Sequence, residues 1–248
     1  MSNIIILSLL SLGLVTSFSF IYSVKQEIKF VEYIEIKGSE NLISKTIEVA
    51  DFHSLEASDQ VKVIISQGPP SIEISAEDNL IEYLKVENKD GTLSIYREFA
   101  NSQNIQQNLP MIVRISNLAY DKLVAKNQSE IIIEGNLNQP AIFLTLRDQS
   151  NVSGSIETSE LEVVASQQSN ASLFGNAKKL KLELEDQSNL RAYNLNVNQA
   201  EIQIRNQSEA RLNVSDEITG LARGNAKVNI KGDPKIKQIT KDENAKVN

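Results

Sequence analysis

The sequence predicts an all-β chain wound into a right-handed parallel β-helix, and two patterns carry that prediction. The first is a recurring polar phrase: Asn127-Gln128-Ser129-Glu130, Asp148-Gln149-Ser150-Asn151, Gln167-Gln168-Ser169-Asn170, Asp186-Gln187-Ser188-Asn189 and Asn206-Gln207-Ser208-Glu209. Its serines fall 21, 19, 19 and 20 residues apart, and a fixed period of this size marks a solenoid. The second pattern is a two-residue alternation on both sides of each serine. Ile142, Leu144 and Leu146 precede Ser150, Leu161, Val163 and Ala165 precede Ser169, and Leu180, Leu182 and Leu184 precede Ser188. Ala200, Ile202 and Ile204 precede Ser208, while Ile131, Ile133, Ala171, Leu173, Ala210, Leu212 and Val214 follow the corners. Alternation of this kind is a strand with one buried face.

Each repeat therefore reads as two short strands joined at a polar corner. One repeat cannot bury its apolar face alone. Stacked at about 4.8 Å per rung, successive repeats bury a continuous core and pair their backbone groups. The Leu-x-x-Leu-x-Leu consensus of leucine-rich repeats is absent, and helical repeats are longer and show a 3.6-residue period. Hexapeptide helices have shorter coils and a hexad pattern that is missing here. Parallel crossovers favour the right hand.

Composition narrows the function classes. The 248 residues carry a net charge of −7, with scattered basic residues, which argues against nucleic acid as a partner. Aromatic residues make up 5% and there is no Trp, as suits a core of stacked aliphatic side chains. There is no cysteine, so disulfides, thiolate metal sites and cysteine nucleophiles are excluded.

Taken in order, residues 1–24 read as a signal peptide or membrane anchor. Ile4 to Val24 is apolar and uncharged, ahead of Lys25. Its position and its serines favour a leader; the missing N-terminal basic residues and cleavage motif favour retention. Residues 25–46 read as a tether, and 47–117 as a β-rich part forming early rungs or a cap. Within it, Val61, Val63 and Ile65, then Gly68-Pro69-Pro70, then Ile72 and Ile74 predict a hairpin. Asp78-Asn79 is placed to cap a helical turn through Tyr83, Lys89-Asp90-Gly91-Thr92 reads as a turn, and 99–110 as a loop. Residues 118–248 hold the regular repeats, with looser corners at Gly224-Asn225 and Glu243-Asn244. There the register is expected to slip by one, with Ala226, Val228 and Ile230 following Gly224. Lys235, Lys237, Lys241 and Asp242 would put charge on the open end, against edge-to-edge aggregation.

Residues 37 to 234 resemble a family of exported β-helix proteins described as auto-transporter adhesin head, or GIN, domains. The resemblance rests on Ile47-Glu48-Val49-Ala50-Asp51-Phe52-His53-Ser54-Leu55, on Val61-Lys62-Val63-Ile64-Ile65-Ser66-Gln67-Gly68 and on Asp90-Gly91-Thr92-Leu93-Ser94-Ile95. It also rests on the recurring corners and the closing Lys231-Gly232-Asp233-Pro234. The family writes Ser-Gly-Ser or Ser-Gly-Ala at its corners, where this chain writes Gln-Ser-Asn. The resemblance implies export and an envelope or surface role, and it brings no catalytic residues.

The corner is the first place to look for chemistry. Asn127, Asp148, Gln167, Asp186 and Asn206 share parity with buried strand positions. Either the chain bends ahead of them or they form a hydrogen-bonded polar ladder, since unpaired burial is costly. With Ser129, Ser150, Ser169, Ser188 and Ser208 they read as a structural polar corner. A polysaccharide-active site using Asp148 and Asp186, two rungs and about 9–10 Å apart, is the enzymatic alternative, but Gln167 lies between them. Calcium could use Asp, Asn and carbonyl oxygens, yet no calcium motif is present. His53 is the single histidine, so neither a zinc site nor a serine triad assembles, and no cofactor motif appears.

The outward residues after the corner form the candidate binding face: Asn151, Ser153, Asn170, Ser172, Asn189, Arg191, Glu209 and Arg211. Stacked, they make a flat polar surface suited to a glycan or to an envelope or host protein. The expected function is an exported cell-envelope binding or structural module without enzymatic activity, with a self-assembling scaffold as a further alternative. Membrane contact is expected only through the N-terminal segment.

Overall fold

The computed structural model describes residues 34–99 and 103–248, and these form a nearly all-β solenoid of about seven turns. The apolar stretch Ile4 to Val24, read as a leader or anchor, lies outside the described residues, as does the first part of the expected tether. Among the described residues no helix is long and apolar enough to cross a membrane.

The strands are β1 (Ile34–Lys37), β2 (Leu42–Ile47), β3 (Ser54–Ala57), β4 (Lys62–Gln67), β5 (Ser71–Glu77) and β6 (Leu84–Lys89). Then come β7 (Thr92–Arg97), β8 (Gln103–Gln106), β9 (Ile112–Asn117), β10 (Lys122–Ala125), β11 (Glu130–Leu146) and β12 (Asn151–Ala165). The series closes with β13 (Asn170–Leu184), β14 (Asn189–Ile204), β15 (Glu209–Ala222), β16 (Lys227–Lys231), β17 (Ile236–Lys241) and β18 (Lys246–Val247). From β10 to β16 each strand pairs in parallel with the next.

The core is a set of side-chain columns. Leu93, Leu55, Leu123, Leu144, Val163, Leu182 and Ile202 are consecutive register partners. Each is 2% exposed or less in a single hydrophobic cluster. Unequal repeat lengths are absorbed by bulges. The 21-residue repeat carries its two extra residues between Ile133 and Asn136, where the register with β12 shifts. Gly135 takes φ 80° there, a conformation that glycine adopts without a Cβ penalty. The 20-residue repeat places its extra residue near Tyr193, between the Ser172–Arg191 and Phe174–Asn194 pairs.

The corner bends the chain without breaking the ladder. Asn127 and Gln128 lie at φ 52° and 63°, and Asp148-Gln149, Gln167-Gln168, Asp186-Gln187 and Asn206-Gln207 repeat that pair of positive angles. Two consecutive left-handed residues closed by a bond from the fourth N–H to the first carbonyl make a primed turn. Ser129 N donates to Lys126 O at 3.2 Å and Ser208 N to Arg205 O at 3.2 Å. Gln128 N donates to Asp148 O at 2.8 Å, Gln149 N to Gln167 O at 2.9 Å and Gln168 N to Asp186 O at 2.9 Å, so the bent backbone stays paired between rungs.

The serines point inward and are fully buried. Ser150 Oγ donates to Ala125 O at 2.7 Å and accepts from Arg147 N at 3.1 Å. Ser129 Oγ does the same with Ala57 O at 2.8 Å and Lys126 N at 3.0 Å. Ser208 Oγ accepts from Ser188 N at 3.2 Å, whereas the hydroxyl of Ser188 itself has no partner.

The end before β10 is built differently from the sequence expectation. β4 and β5 do not form a hairpin: β9 lies between them, parallel to β4 and antiparallel to β5. Gly68-Pro69-Pro70 is too stiff for a tight return and instead carries the chain over β9. Asp78 and Asn79 do not cap the single 3-10 turn Ile81–Tyr83, which has no side-chain cap. Asp78 accepts from Ser39 Oγ and from Asn41 Nδ2, and these bonds hold its carboxyl below the ordinary value. The 99–110 loop contains β8, paired in parallel with β1, and β2 pairs with β5, so strands lie inside the expected tether. Lys89-Asp90-Gly91-Thr92 turns between the antiparallel β6 and β7. The buried Glu77 carboxylate accepts from Glu40 N at 2.9 Å and Asn108 N at 3.0 Å, stitching two loops together.

The late corner keeps its register rather than slipping. Gly224 and Asn225 lie at φ 65° and 63°. Glu209 pairs with Lys227, so Ala226 stands where Ser208 stands one rung earlier. Asp242 turns back onto this corner, accepting from Gly224 N at 2.8 Å and Ala245 N at 3.0 Å.

Three outcomes test this packing. Leu182→Ala is expected to lower stability by about 2–5 kcal/mol in urea unfolding, because it opens a cavity in a central column. Ser150→Ala is expected to cost about 0.5–1.5 kcal/mol through loss of the hydroxyl's two bonds, since Arg147 N still donates to Ala125 O at 2.9 Å; Ser188→Ala, which removes an unpartnered hydroxyl, is expected to be neutral or stabilising. The Gly224 N–H bond, followed by those of Ala245 and Asn244, holds the Asp242 carboxyl below its ordinary 3.8. Its contribution is therefore present above that value and lost as pH falls through the depressed one. The protection of the Gly224 and Ala245 amides relative to their intrinsic exchange is expected to fall below about pH 4, and Asp242→Asn to flatten that dependence.

Candidate functional site

The bend that buries the serines turns the corner column outward. Asn127, Gln167, Asp186 and Asn206 are exposed and Asp148 is half-exposed, so none of them occupies the interior that strand parity implied. Two rows result, one of Asn, Asp and Gln and one of Gln alone. Asn206 Nδ2 donates to Asp186 Oδ1 at 3.0 Å, and Asn127 Nδ2 to Asp59 Oδ1 at 2.8 Å. Side-chain links between rungs thus occur at two places in this row, and on the outside.

Asp59 extends both rows. Asp59-Gln60 is one more corner, with φ 59° and 62°, and Gln60 N donates to Asn127 O at 2.9 Å. It escapes a search for the polar phrase because Val61 replaces the serine and Asn127 lies 68 residues on. Its shared Asp-Gln pair, flanked by Leu55, Ala57, Val61 and Val63, was the available signal.

The rows line a groove of about 870 Å³ that runs from Arg97, Phe99 and Ile105 past Asp148 and Gln168 to Asp186 and Gln187. Arg97 closes one end. Its Nε donates to Asp59 O at 2.7 Å, its other nitrogens donate to Gln60 Oε1 and Gln107 Oε1, and it lies 5.4 Å over the Phe99 ring. Burial pulls this guanidinium below its ordinary value, while the Asp59 carboxylate opposes the shift.

The glutamines are out of place on conformational grounds. At the second left-handed position a primed turn prefers Gly or Asn, and a longer L side chain there costs on the order of 1 kcal/mol. Gln60, Gln128, Gln149, Gln168, Gln187 and Gln207 all occupy it at φ 62–66°. Among the described residues the side chains of the last five make no hydrogen bond.

Asp148 and Asp186 lie two rungs apart along one wall, with Gln167 between them. A glycosidase pair flanks the scissile bond; these carboxylates stand in line instead. Among the described residues no three Asp, Glu or His side chains converge as a metal-binding group. His53 is exposed, its Nδ1 3.6 Å from Asp121.

The candidate face falls in two register columns. Asn151, Asn170, Asn189 and Glu209 form the first, and Ser153, Ser172, Arg191 and Arg211 the second. The asparagines lean back onto the corner, donating to Gln149 O, Gln168 O and Gln187 O at 3.4, 3.2 and 3.3 Å. Arg211 Nε donates to Glu209 Oε1 at 2.7 Å, a bond that raises the guanidinium pKa. Arg191 is exposed and has no side-chain partner among the described residues. Phe174 and Tyr193, 48% and 39% exposed, stand beside the second column. Strand alternation marks Phe174 as outward, but a lone aromatic in a strand carries no functional signal in sequence.

A second groove, of about 740 Å³, follows an amide ladder through Glu157, Asn176, Asn196 and Asn213. Asn176 donates to Glu157 at 2.8 Å, Asn196 to Asn176 at 3.0 Å and Asn213 to Asn196 at 2.9 Å. The ladder's side chains are spent on one another.

Solved structures share this fold. A "putative adhesin" from Bacteroides fragilis is 21% identical, covers 86% of this chain and 98% of its own, and superposes with a TM-score of 0.77. A "putative adhesin" from Parabacteroides merdae is 17% identical, covers 86% and 99%, and has a TM-score of 0.68. A "putative lipid binding protein" from Parabacteroides distasonis is 16% identical, covers 87% and 100%, and has a TM-score of 0.68. No curated protein matches the chain. The family model described as "Putative auto-transporter adhesin, head GIN domain" matches residues 51–234, spanning both the irregular early rungs and the regular ones: the chain belongs to that family.

Proposed function

We propose that this protein is an exported cell-envelope module that adheres to another macromolecule through the face after the corner. The carrying observation is the pair of in-register columns, Asn151 to Glu209 and Ser153 to Arg211. A solenoid holds such columns rigidly, so a partner meets preorganised groups and little ordering entropy opposes docking. The free guanidinium of Arg191 and the exposed rings of Phe174 and Tyr193 supply the residue types that dominate binding energy at interfaces. They suit a partner that presents acidic and polar groups, whether on a glycan or on a protein. Family membership supports the adhesive reading, and the apolar Ile4 to Val24 stretch supports export.

The test is binding of the purified protein to arrays of glycans and of envelope and host surface proteins. A reproducible ligand is expected, and Arg191→Glu combined with Phe174→Ala is expected to weaken it at least tenfold. Both sites are exposed, so the unfolding free energy should stay within about 0.5 kcal/mol. Flat arrays, or a ligand indifferent to both substitutions, would contradict the adhesive reading.

A further inference from the structure

We infer that the corner groove is a second binding site, separate from the face above, and that its ligand is a linear, neutral, hydroxyl-rich glycan. The first left-handed position varies among Asn, Asp and Gln from corner to corner, whereas the second is Gln in every copy from Gln60 to Gln207. Gly or Asn would suit that backbone better, as Gly224-Asn225 demonstrates. Strain repeated at the same position, with no fold-holding bond made by the side chains from Gln128 to Gln207, points to a use outside the fold.

The chemistry of the groove selects the ligand. Each carboxamide offers donors and an acceptor at its tip, which matches a hydroxyl. The amides recur at the rung spacing of about 4.8 Å, which calls for a ligand that is itself linear and periodic. Asp59, Asp148 and Asp186 line the opposite row; they accept from hydroxyls and repel a polyanion. Among the described residues lining the groove Arg97 alone opposes them, and it is already engaged with Asp59 and Gln60. The same carboxylates would face one another if two copies paired corner to corner, so a glutamine zipper between copies is disfavoured. Phe99, packed against Arg97 and Tyr83, closes the end of the groove.

The experiment titrates the purified protein with cellohexaose, xylohexaose and mannohexaose, with hexagalacturonate as the anionic control, by calorimetry and sedimentation. The decisive variant is Gln149→Asn/Gln168→Asn/Gln187→Asn. It keeps the carboxamide, shortens its reach by one methylene and suits the left-handed backbone better. We expect at least one neutral hexasaccharide to bind and hexagalacturonate not to. The variant is expected to bind at least tenfold more weakly while unfolding at the same or a higher denaturant concentration. The proposal is overturned if no neutral hexasaccharide binds, if the variant binds as well as the parent, or if it unfolds earlier. It is also overturned if the substitutions convert a dimer to a monomer, because the row would then pair with a second copy. Arg191→Glu leaves the groove intact, so it is expected to keep hexasaccharide binding; the two sites thus fail separately.

Discussion

Everything in this molecule depends on a chain that bends sharply at its corners while keeping the rungs on either side hydrogen-bonded to one another. Ordinary strand pairing cannot do that, because bending a strand pulls its N–H and C=O groups off their partners and leaves them unpaired. The corner solves the problem with two consecutive left-handed residues: the N–H of the second meets the C=O of the first on the adjoining rung. Gln128 to Asp148, Gln149 to Gln167 and Gln168 to Asp186 continue the ladder through the bend. The buried serine then ties each turn from within, its hydroxyl reaching a carbonyl one rung away in the copies at Ser129 and Ser150.

That device determines what the surface can do. Because the bend throws the Asn, Asp and Gln side chains outward at a fixed rise, a structural turn becomes a repeated array of polar groups. The face beside it inherits the same spacing, although its asparagines are partly spent on corner carbonyls. Two surfaces of similar periodicity but different charge lie next to one another. The groove side carries carboxylates, and the face carries Arg191 and Arg211. The two proposed sites use different residues, so occupation of one does not spend the groups of the other.

The core was readable because stacking imposes one requirement at every rung: an aliphatic side chain at the same place. Leu144, Val163, Leu182 and Ile202 stand in sequence at the spacing that they keep in space. The bend was ambiguous because parity places Asp148 and Asp186 inward, and only the backbone angles reverse that. Glutamine gives no hint of a positive φ, since other residues adopt it more easily. The apparent hairpin of Val61–Ile65 and Ile72–Ile74 misled because alternation reports which face is buried, not which strand is the neighbour; β9, more than 30 residues further on, takes the place between them. Of the candidate surfaces, the face columns followed from alternation alone. Arg97, Phe99 and Asp59 reach the groove only through pairing across distant parts of the chain.

The most direct measurement exploits the absence of cysteine from the sequence. Rung stacking puts Ser153 and Ser172 side by side as register partners, within the Cα separation of about 4.4–6.8 Å that a disulfide spans. Ser153 and Asn170 lie on the same two rungs but two positions out of register. Under mild oxidation, the pair Ser153→Cys with Ser172→Cys should cross-link rapidly within one chain, and Ser153→Cys with Asn170→Cys should not. Equal linking of both pairs, or linking of neither, would contradict the stacked-rung structure and with it the corner that organises both surfaces.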